Sequence, residues 1–336
     1  MNSVSIGDLA LNFQNRRHNV DLKTDLIRLS EELASGHRKD LSSLVTGDLL
    51  PLASLEHALQ TSGAFSTATA EAGLVAETMQ ASLELVQNNS ADLGASLLVA
   101  SSSESSAMIQ TTSVDAKFKF EAVVSAFNTR VADRYAFSGM ATDSMALADA
   151  ETILASLQVA IAAQSTAAGI EGVVSAWFDD PGGGFETVGY TGSNAKLAPV
   201  RISSTDTVAL DIDASDSDIR EILKGFAMAA LIGEGALSSD VAEQATLTRT
   251  AGEKLLTTDF NLSVLRAKVG SAQSRIHDVA ANNAAQKHSL EIARNELTAV
   301  DPFKAATELE AVRTQLETFY TVTARLSRLS LMEYLR

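Results

Sequence analysis

The sequence predicts a mainly α fold: a long antiparallel helical bundle with paired terminal coiled-coil helices and a small β-rich insertion. Three observations carry this expectation. Apolar ladders at coiled-coil spacing occur at both ends of the chain. Only four prolines interrupt 336 residues in which aromatics make up 5%, a composition that favours helix. One central segment alone changes its hydrophobic period from helical to alternating.

The N-terminal ladder is Leu22, Leu26, Leu29 and Leu33, at steps of four, three and four, which aligns four leucines on one narrow stripe. Ser35-Gly36 closes this helix with a residue suited to the left-handed conformation. His37, Arg38 and Lys39 follow and suit its negative end. A loop through Pro51 leads to a helix expected from about Ser54 to Asn88, and Ser101 to Ser106 marks a turn. A second long helix is expected to run to about Phe137, with Phe120, Val124, Phe127 and Val131 as its stripe. A short helix over Glu151 to Gln164 precedes the segment of changed period. There Pro181-Gly182-Gly183-Gly184 signals a turn, and Val208, Leu210 and Ile212 alternate with Ala209, Asp211 and Asp213 as a strand with one dry face would. Ser215 with Asp218 resembles a capping box, opening a helix whose Ile219, Leu223, Phe226 and Ala230 share a face.

The longest continuous signal is the heptad pattern Leu262, Leu265, Val269, Ala272, Ile276 and Val279, continued through Asn283 and Gln286 to Leu290, Ala293, Leu297 and Val300. The polar pair in its middle is expected to be wet where a stem leaves the body, a register-fixing role being the alternative. Asp301-Pro302 restarts the helix as N-cap and first-turn residue. The last ladder is Leu309, Val312, Leu316, Phe319, Thr323 and Leu326. A lone helix cannot satisfy such a seam. Burying a leucine contributes roughly 1.5 to 3 kcal/mol only where a partner surface exists. The simplest partner for each end is the other end, with everything between hung from the stem as an insertion. The expected division is a terminal coiled-coil stem of residues 1–45 and 290–336, a helical body of 46–169 and 215–289, and an outward-facing β-rich insertion of 170–214. Leu22, Leu26, Leu29, Leu33, Leu309, Val312, Leu316, Phe319 and Leu326 are the candidate assembly interface.

Charge is partitioned along the chain. Residues 1–50 hold 6 basic and 7 acidic side chains, residues 51–246 hold 8 and 25, and residues 247–336 hold 12 and 10. The middle therefore carries -17 against a net charge of -16 for the whole chain, whereas the terminal segments, at -1 and +2, can pack against their like without large repulsion. An acidic middle argues against a nucleic-acid binder. No run approaches the length of a membrane span, and Met1 to Ala10 lacks the basic flank and apolar core of a secretory signal.

No constellation of catalytic groups is present, so an enzyme is not expected. The chain has no cysteine, which removes disulfides, thiolate metal sites and a thiol nucleophile. Asp211, Asp213, Asp216 and Asp218 suggest calcium, but an EF-hand would need Gly where Asp216 stands and Glu where Ile222 stands. Solvated strand end plus helix cap is the expectation. The Gly182 to Gly184 run has no Gly-Lys-Ser/Thr after it and no helix is expected to begin directly behind it, so a turn is read rather than a phosphate loop. His18, His37, His57, His277 and His288 lie on separate segments without metal spacing. No serine sits in a Gly-x-Ser-x-Gly context. Neither metal nor cofactor is expected.

Four stretches carry a family resemblance: Leu29-Ser30-Glu31-Glu32-Leu33-Ala34-Ser35-Gly36-His37-Arg38, Arg134-Tyr135-Ala136-Phe137-Ser138-Gly139, Lys268-Val269-Gly270-Ser271-Ala272-Gln273-Ser274-Arg275, and Leu329-Ser330-Leu331-Met332-Glu333-Tyr334-Leu335. In this order they resemble the flagellin superfamily of bacterial flagellar axial proteins, and within it the hook-associated members at the hook–filament junction. The resemblance spans roughly residues 5–140 and 240–336. The family's loop after the first helix has only Asp40, Asp48 and Pro51 as counterparts. The resemblance implies export through the flagellar type III apparatus without a cleaved signal peptide. It further implies self-association in a ring, contact with a neighbouring hook-associated protein and with flagellin, recognition by an export chaperone, and an extracellular place in the flagellum. A flagellin filament subunit is the alternative within the family, and a soluble coiled-coil signalling protein is the alternative from another class.

Overall fold

The computed structural model describes residues 6–39, 50–103 and 105–334. Nine helices in these residues, α1 (Ile6–Ser35), α2 (Leu50–Ser102), α3 (Ser106–Phe127), α4 (Ala150–Ile161), α5 (Ala167–Asp179), α6 (Ser217–Gly233), α7 (Val241–Thr257), α8 (Asp259–Thr298) and α9 (Pro302–Tyr334), carry most of the chain. Two antiparallel hairpins interrupt them, β1 (Arg130–Val131) with β2 (Arg134–Tyr135) and β3 (Val200–Arg201) with β4 (Thr207–Val208). The fold is mainly α with a small amount of sheet, as the sequence predicts. The chain divides into two compact units, residues 1–62 with 285–336, and residues 63–284. Asp40 and Asp48, the loop counterparts named above, lie outside the described residues.

In the body, residues 63–284, the core is built around α6. Every residue from Ile222 to Ile232 on this helix is buried, because α3, α4, α5 and α7 all pack on it. A helix covered on all sides reads as nearly continuous apolar sequence. The one charge between Ile222 and Ile232, Lys224, is buried and pairs with Asp179 of α5 and Glu221 of α6, while Glu221 also takes the Lys254 ammonium of α7 at 2.8 Å. Arg220 donates to the Phe178 carbonyl at 2.9 Å and meets Asp179 at 3.6 Å. The ammonium partners Lys224 and Lys254 hold the Glu221 carboxyl below its usual range against the opposing effect of burial.

α2 extends beyond Asn88, where the sequence suggested an end, to Ser102. Ser90 is accommodated in its interior because its hydroxyl donates to the Leu255 carbonyl at 3.0 Å. α3 stops ten residues short of Phe137. Asn128 ends it, bonding through its side-chain amide to both the N–H and the C=O of Leu147, each at 2.9 Å. The chain then turns through Ala132 and Asp133, both at positive φ (46° and 65°), the geometry that a tight hairpin demands. Val131, the last member of the predicted stripe, is buried from this hairpin rather than from helix.

The segment Arg134 to Gly139 acts as a tertiary clamp. Arg130 stands 5.7 Å over the Tyr135 ring, and Phe137 meets Phe127 edge-on at 5.2 Å. Gly139 takes φ +63°, and a Cβ there would lie 2.4 Å from the Ser193 carbonyl oxygen. Only glycine permits both the conformation and the approach.

In the insertion, Val208, Leu210 and Ile212 are buried while Ala209 and Asp211 are exposed, as the alternation predicts, but Asp213, expected on the wet face, is buried, and ladder pairing is confined to two residues per strand. The Gly182 to Gly184 turn is followed by a π-helical turn, Phe185–Gly189, contrary to the expectation that no helix begins there. Its geometry follows from Gly184, whose missing side chain admits the Trp177 indole; a Cβ would fall 1.8 Å from the ring nitrogen. The Gly182 N–H is taken by the Glu186 carboxylate at 2.8 Å, so an acid occupies the place a phosphate would need. The N-cap of α6 is Asp216 and not Ser215. Ser215 is diverted, its N–H and hydroxyl both donating to Asp213. Asp213 and Asp216 share the Lys196 ammonium, and Asp218 accepts from the Asn261 amide at 3.0 Å.

Asn283 corrects a further expectation. It is buried, and its amide donates to the Ile202 carbonyl at 2.9 Å. With the Arg275–Asp206 ion pair at 3.1 Å, it fastens the β3–β4 hairpin along α8. Gln286, one turn on, is exposed.

Candidate assembly surface

The terminal unit is an antiparallel pairing of α1 with α9. Two local devices set its register. Gly36 at φ +73° ends α1, and the next residues bridge to the segment before α9: Arg38 N–H donates to the Thr298 carbonyl at 2.9 Å and Val300 N–H to the Gly36 carbonyl at 3.0 Å. Asp301 caps α9, accepting from the N–H groups of Phe303 and Lys304 at 3.0 and 3.2 Å. Glu32 is buried at this end. It accepts from Lys39 N–H at 3.0 Å and from Arg28 at 3.3 Å, and Asp25 and Glu32 together raise the Arg28 guanidinium above its usual value. Further along, His18 meets Phe319 edge-on at 5.7 Å. Hydrogen bonds from Asn19 and Lys23 hold the Tyr320 hydroxyl below its usual range.

The candidate interface residues do not share one environment. Leu22 and Leu29 are buried, Leu26, Leu309, Val312, Leu316 and Phe319 are half-buried, and Leu33 and Leu326 are exposed. The two ladders thus face each other, but the helix pair closes only part of the seam. Buried Glu32 takes the inward place beside Leu33.

Sequence reasoning missed a second stripe on α1. Phe13, Val20 and Ile27 are 69%, 61% and 57% exposed. They recur every seven residues, so the signal was present, masked by the stronger leucine ladder on the other side of the same helix. In the terminal unit the balance of burial is inverted relative to the body. Its buried apolar residues are Leu22, Leu29 and Ala305, whereas eleven of the twenty-four large apolar side chains exposed among the described residues belong to it.

The body is thus a packed helical core, whereas among the described residues the helix pair of the terminal unit leaves eleven large apolar side chains exposed. Residues 257–335 match the family model described as the bacterial flagellin C-terminal helical region. The C-terminal quarter of the chain is thus similar to that flagellin region, and the resemblance to the flagellin superfamily is supported there. Among solved structures, one described as a flagellar hook-associated protein from Vibrio parahaemolyticus is similar at 12% identity and a TM-score of 0.49, over 74% of this chain and 96% of that one. No curated protein sequence matches the chain. None of the described helices is long and apolar enough to cross a membrane.

Proposed function

We propose that the protein is a hook–filament junction subunit of the bacterial flagellum, of the FlgL type, which adapts the hook to the flagellin filament. The observation that carries this reading is the inverted burial of the terminal unit. Among the described residues, eleven large apolar side chains lie exposed and three apolar residues are buried. A monomeric protein rarely leaves such surface open, and burying it between copies supplies the driving force for a ring. The nearly neutral ends and the strongly acidic middle fit the same role, the terminal stems packing against other copies and the insertion of residues 170–214 staying in solvent. Neighbouring hook-associated protein, flagellin and an export chaperone are the partners of this role, and export without a cleaved signal peptide is its route to the outside of the cell.

A flagellin filament subunit is the second reading, because the matched family model is that of flagellin itself. The Arg134 to Gly139 clamp and the Leu329 to Leu335 close favour the junction. Electron microscopy of hook–basal bodies from a strain lacking the gene, with the intact gene restored as control, separates the two. Hooks without filaments, and flagellin shed into the medium, are expected of a junction subunit; persisting normal filaments would exclude it.

A further inference from the structure

The outward face of α1 carries more than apolar residues. At 100° per residue, Phe13, Arg16, Arg17, Val20, Lys23 and Ile27 fall within about one-third of the helix circumference, with Lys23 at the edge nearest α9, where it also bonds Tyr320. All six are exposed, and no carboxylate lies among them between residues 13 and 27. The outward face of α2 is its chemical complement. Over residues 71–85 it presents Leu74 and Leu85, 49% and 43% exposed, with Thr78 and Ala81 completing steps of four, three and four. Glu71, Glu77 and Glu84 flank them. α2 contains no lysine or arginine in its 53 residues. Glu84 is already paired with Arg266 at 3.2 Å, which leaves Glu71 and Glu77 to meet a cation. The two faces are matched in length, each fifteen residues with its ends about 21 Å apart. Each presents a ladder at coiled-coil spacing.

We propose that the basic apolar face of α1 docks on the acidic apolar face of α2 of a second copy of this chain. The contact is heterologous. The two surfaces are different, so each copy has one of each to offer and the contact propagates around a ring or along a helix instead of closing as a dimer. The inference rests on the proposed assembly role and gives it a partner surface. Charge sets orientation and pairing, and the apolar ladders supply the burial.

Two variants of the full chain test it by sedimentation velocity over a concentration series at low and high ionic strength. Arg16→Glu/Arg17→Glu makes both faces acidic; Glu71→Lys/Glu77→Lys makes both basic. Each variant alone is expected to self-associate roughly tenfold or more weakly than the wild type, and an equimolar mixture to recover wild-type association, because each then supplies the face the other needs. Wild-type protein that stays monomeric throughout, variants that associate unchanged, or a mixture that fails to recover would each overturn the proposal. So would binding to anionic phosphatidylserine vesicles that is lost in the arginine variant while self-association persists, since a lipid surface would then be the occupant. The junction role is scored separately. If the arginine variant restores filaments to a deletion strain, the docking face is wrong and the role stands. If the deletion strain keeps its filaments, the role falls whatever the sedimentation data show.

Discussion

Lys224 offers the sharpest test of how the body is held together. It is buried to 1% exposure, whereas its partners Asp179 and Glu221 are 44% and 37% exposed, so the two sides of this ion pair are not equivalent. Removing the lysine as Lys224→Met leaves carboxylates that water reaches, with Arg220 and Lys254 still beside them. An aliphatic chain of similar length fills the same space. The expected change in stability is within about 1 kcal/mol, with stabilisation the favoured sign. Neutralising the partners as Asp179→Asn/Glu221→Gln is different, because it leaves an ammonium in the core without a counter-charge, at a cost of about 3–5 kcal/mol. For a unit of this size that corresponds to a fall in melting temperature of about 6–20 °C. Thermal and urea unfolding of the full chain at neutral pH, followed by far-UV circular dichroism, reads both variants. A carboxylate double variant as stable as the wild type, or a methionine variant less stable than it, would refute the reasoning. Acid gives the same result without mutation. The folded Glu221 carboxyl titrates below its unfolded value, so its contribution is present above the unfolded pKa of about 4.3 and is lost as pH falls through the lower folded value.

Three further outcomes follow from single positions. Gly139→Ala combines a left-handed backbone with a Cβ 2.4 Å from one carbonyl oxygen and 2.7 Å from another, and should cost at least about 2 kcal/mol in chemical unfolding. Ala132→Gly relieves φ +46° at the β1–β2 turn and should stabilise by about 1 kcal/mol, or by less to the extent that the unfolded chain gains freedom; a destabilised variant would show that the turn carries no strain. Asn283→Ala removes the donor to the Ile202 carbonyl and should cost about 1–3 kcal/mol, with faster hydrogen exchange confined to the β3–β4 hairpin and the facing turns of α8.

What the sequence made legible is what short-range physics determines. Asp301 caps α9 through amides two and three residues ahead, Gly36 closes α1, and the alternation of Val208, Leu210 and Ile212 sorts wet from dry within five residues. The misreadings have distant partners. Asn283 looks like a wet interruption of a heptad until Ile202, 81 residues away, supplies its acceptor. The helix expected to end near Asn88 continues through Ser90 because the carbonyl of Leu255, 165 residues away, accepts a hydrogen bond from its hydroxyl. The β1–β2 turn was invisible because its two central positions hold Ala132 and Asp133, where a tight hairpin normally advertises itself with glycine or asparagine. The assembly surface was half legible. The leucine ladders declare themselves by spacing, but that Leu33 yields its inward place to Glu32 depends on Lys39 and Arg28 arriving from outside the pattern.

The complete enclosure of α6 has a consequence for the chain before it folds. From Ile222 to Gly233, twelve residues carry a single charge, that of Lys224. In an unfolded polypeptide such a stretch is an adhesive patch, and a charge set near its edge is what discourages copies from sticking to one another through it. The lysine that the folded body accommodates only with two carboxylates is, before folding, the residue that keeps this patch in solution. Replacing it with methionine therefore exchanges a gain in the folded protein for a loss in its yield.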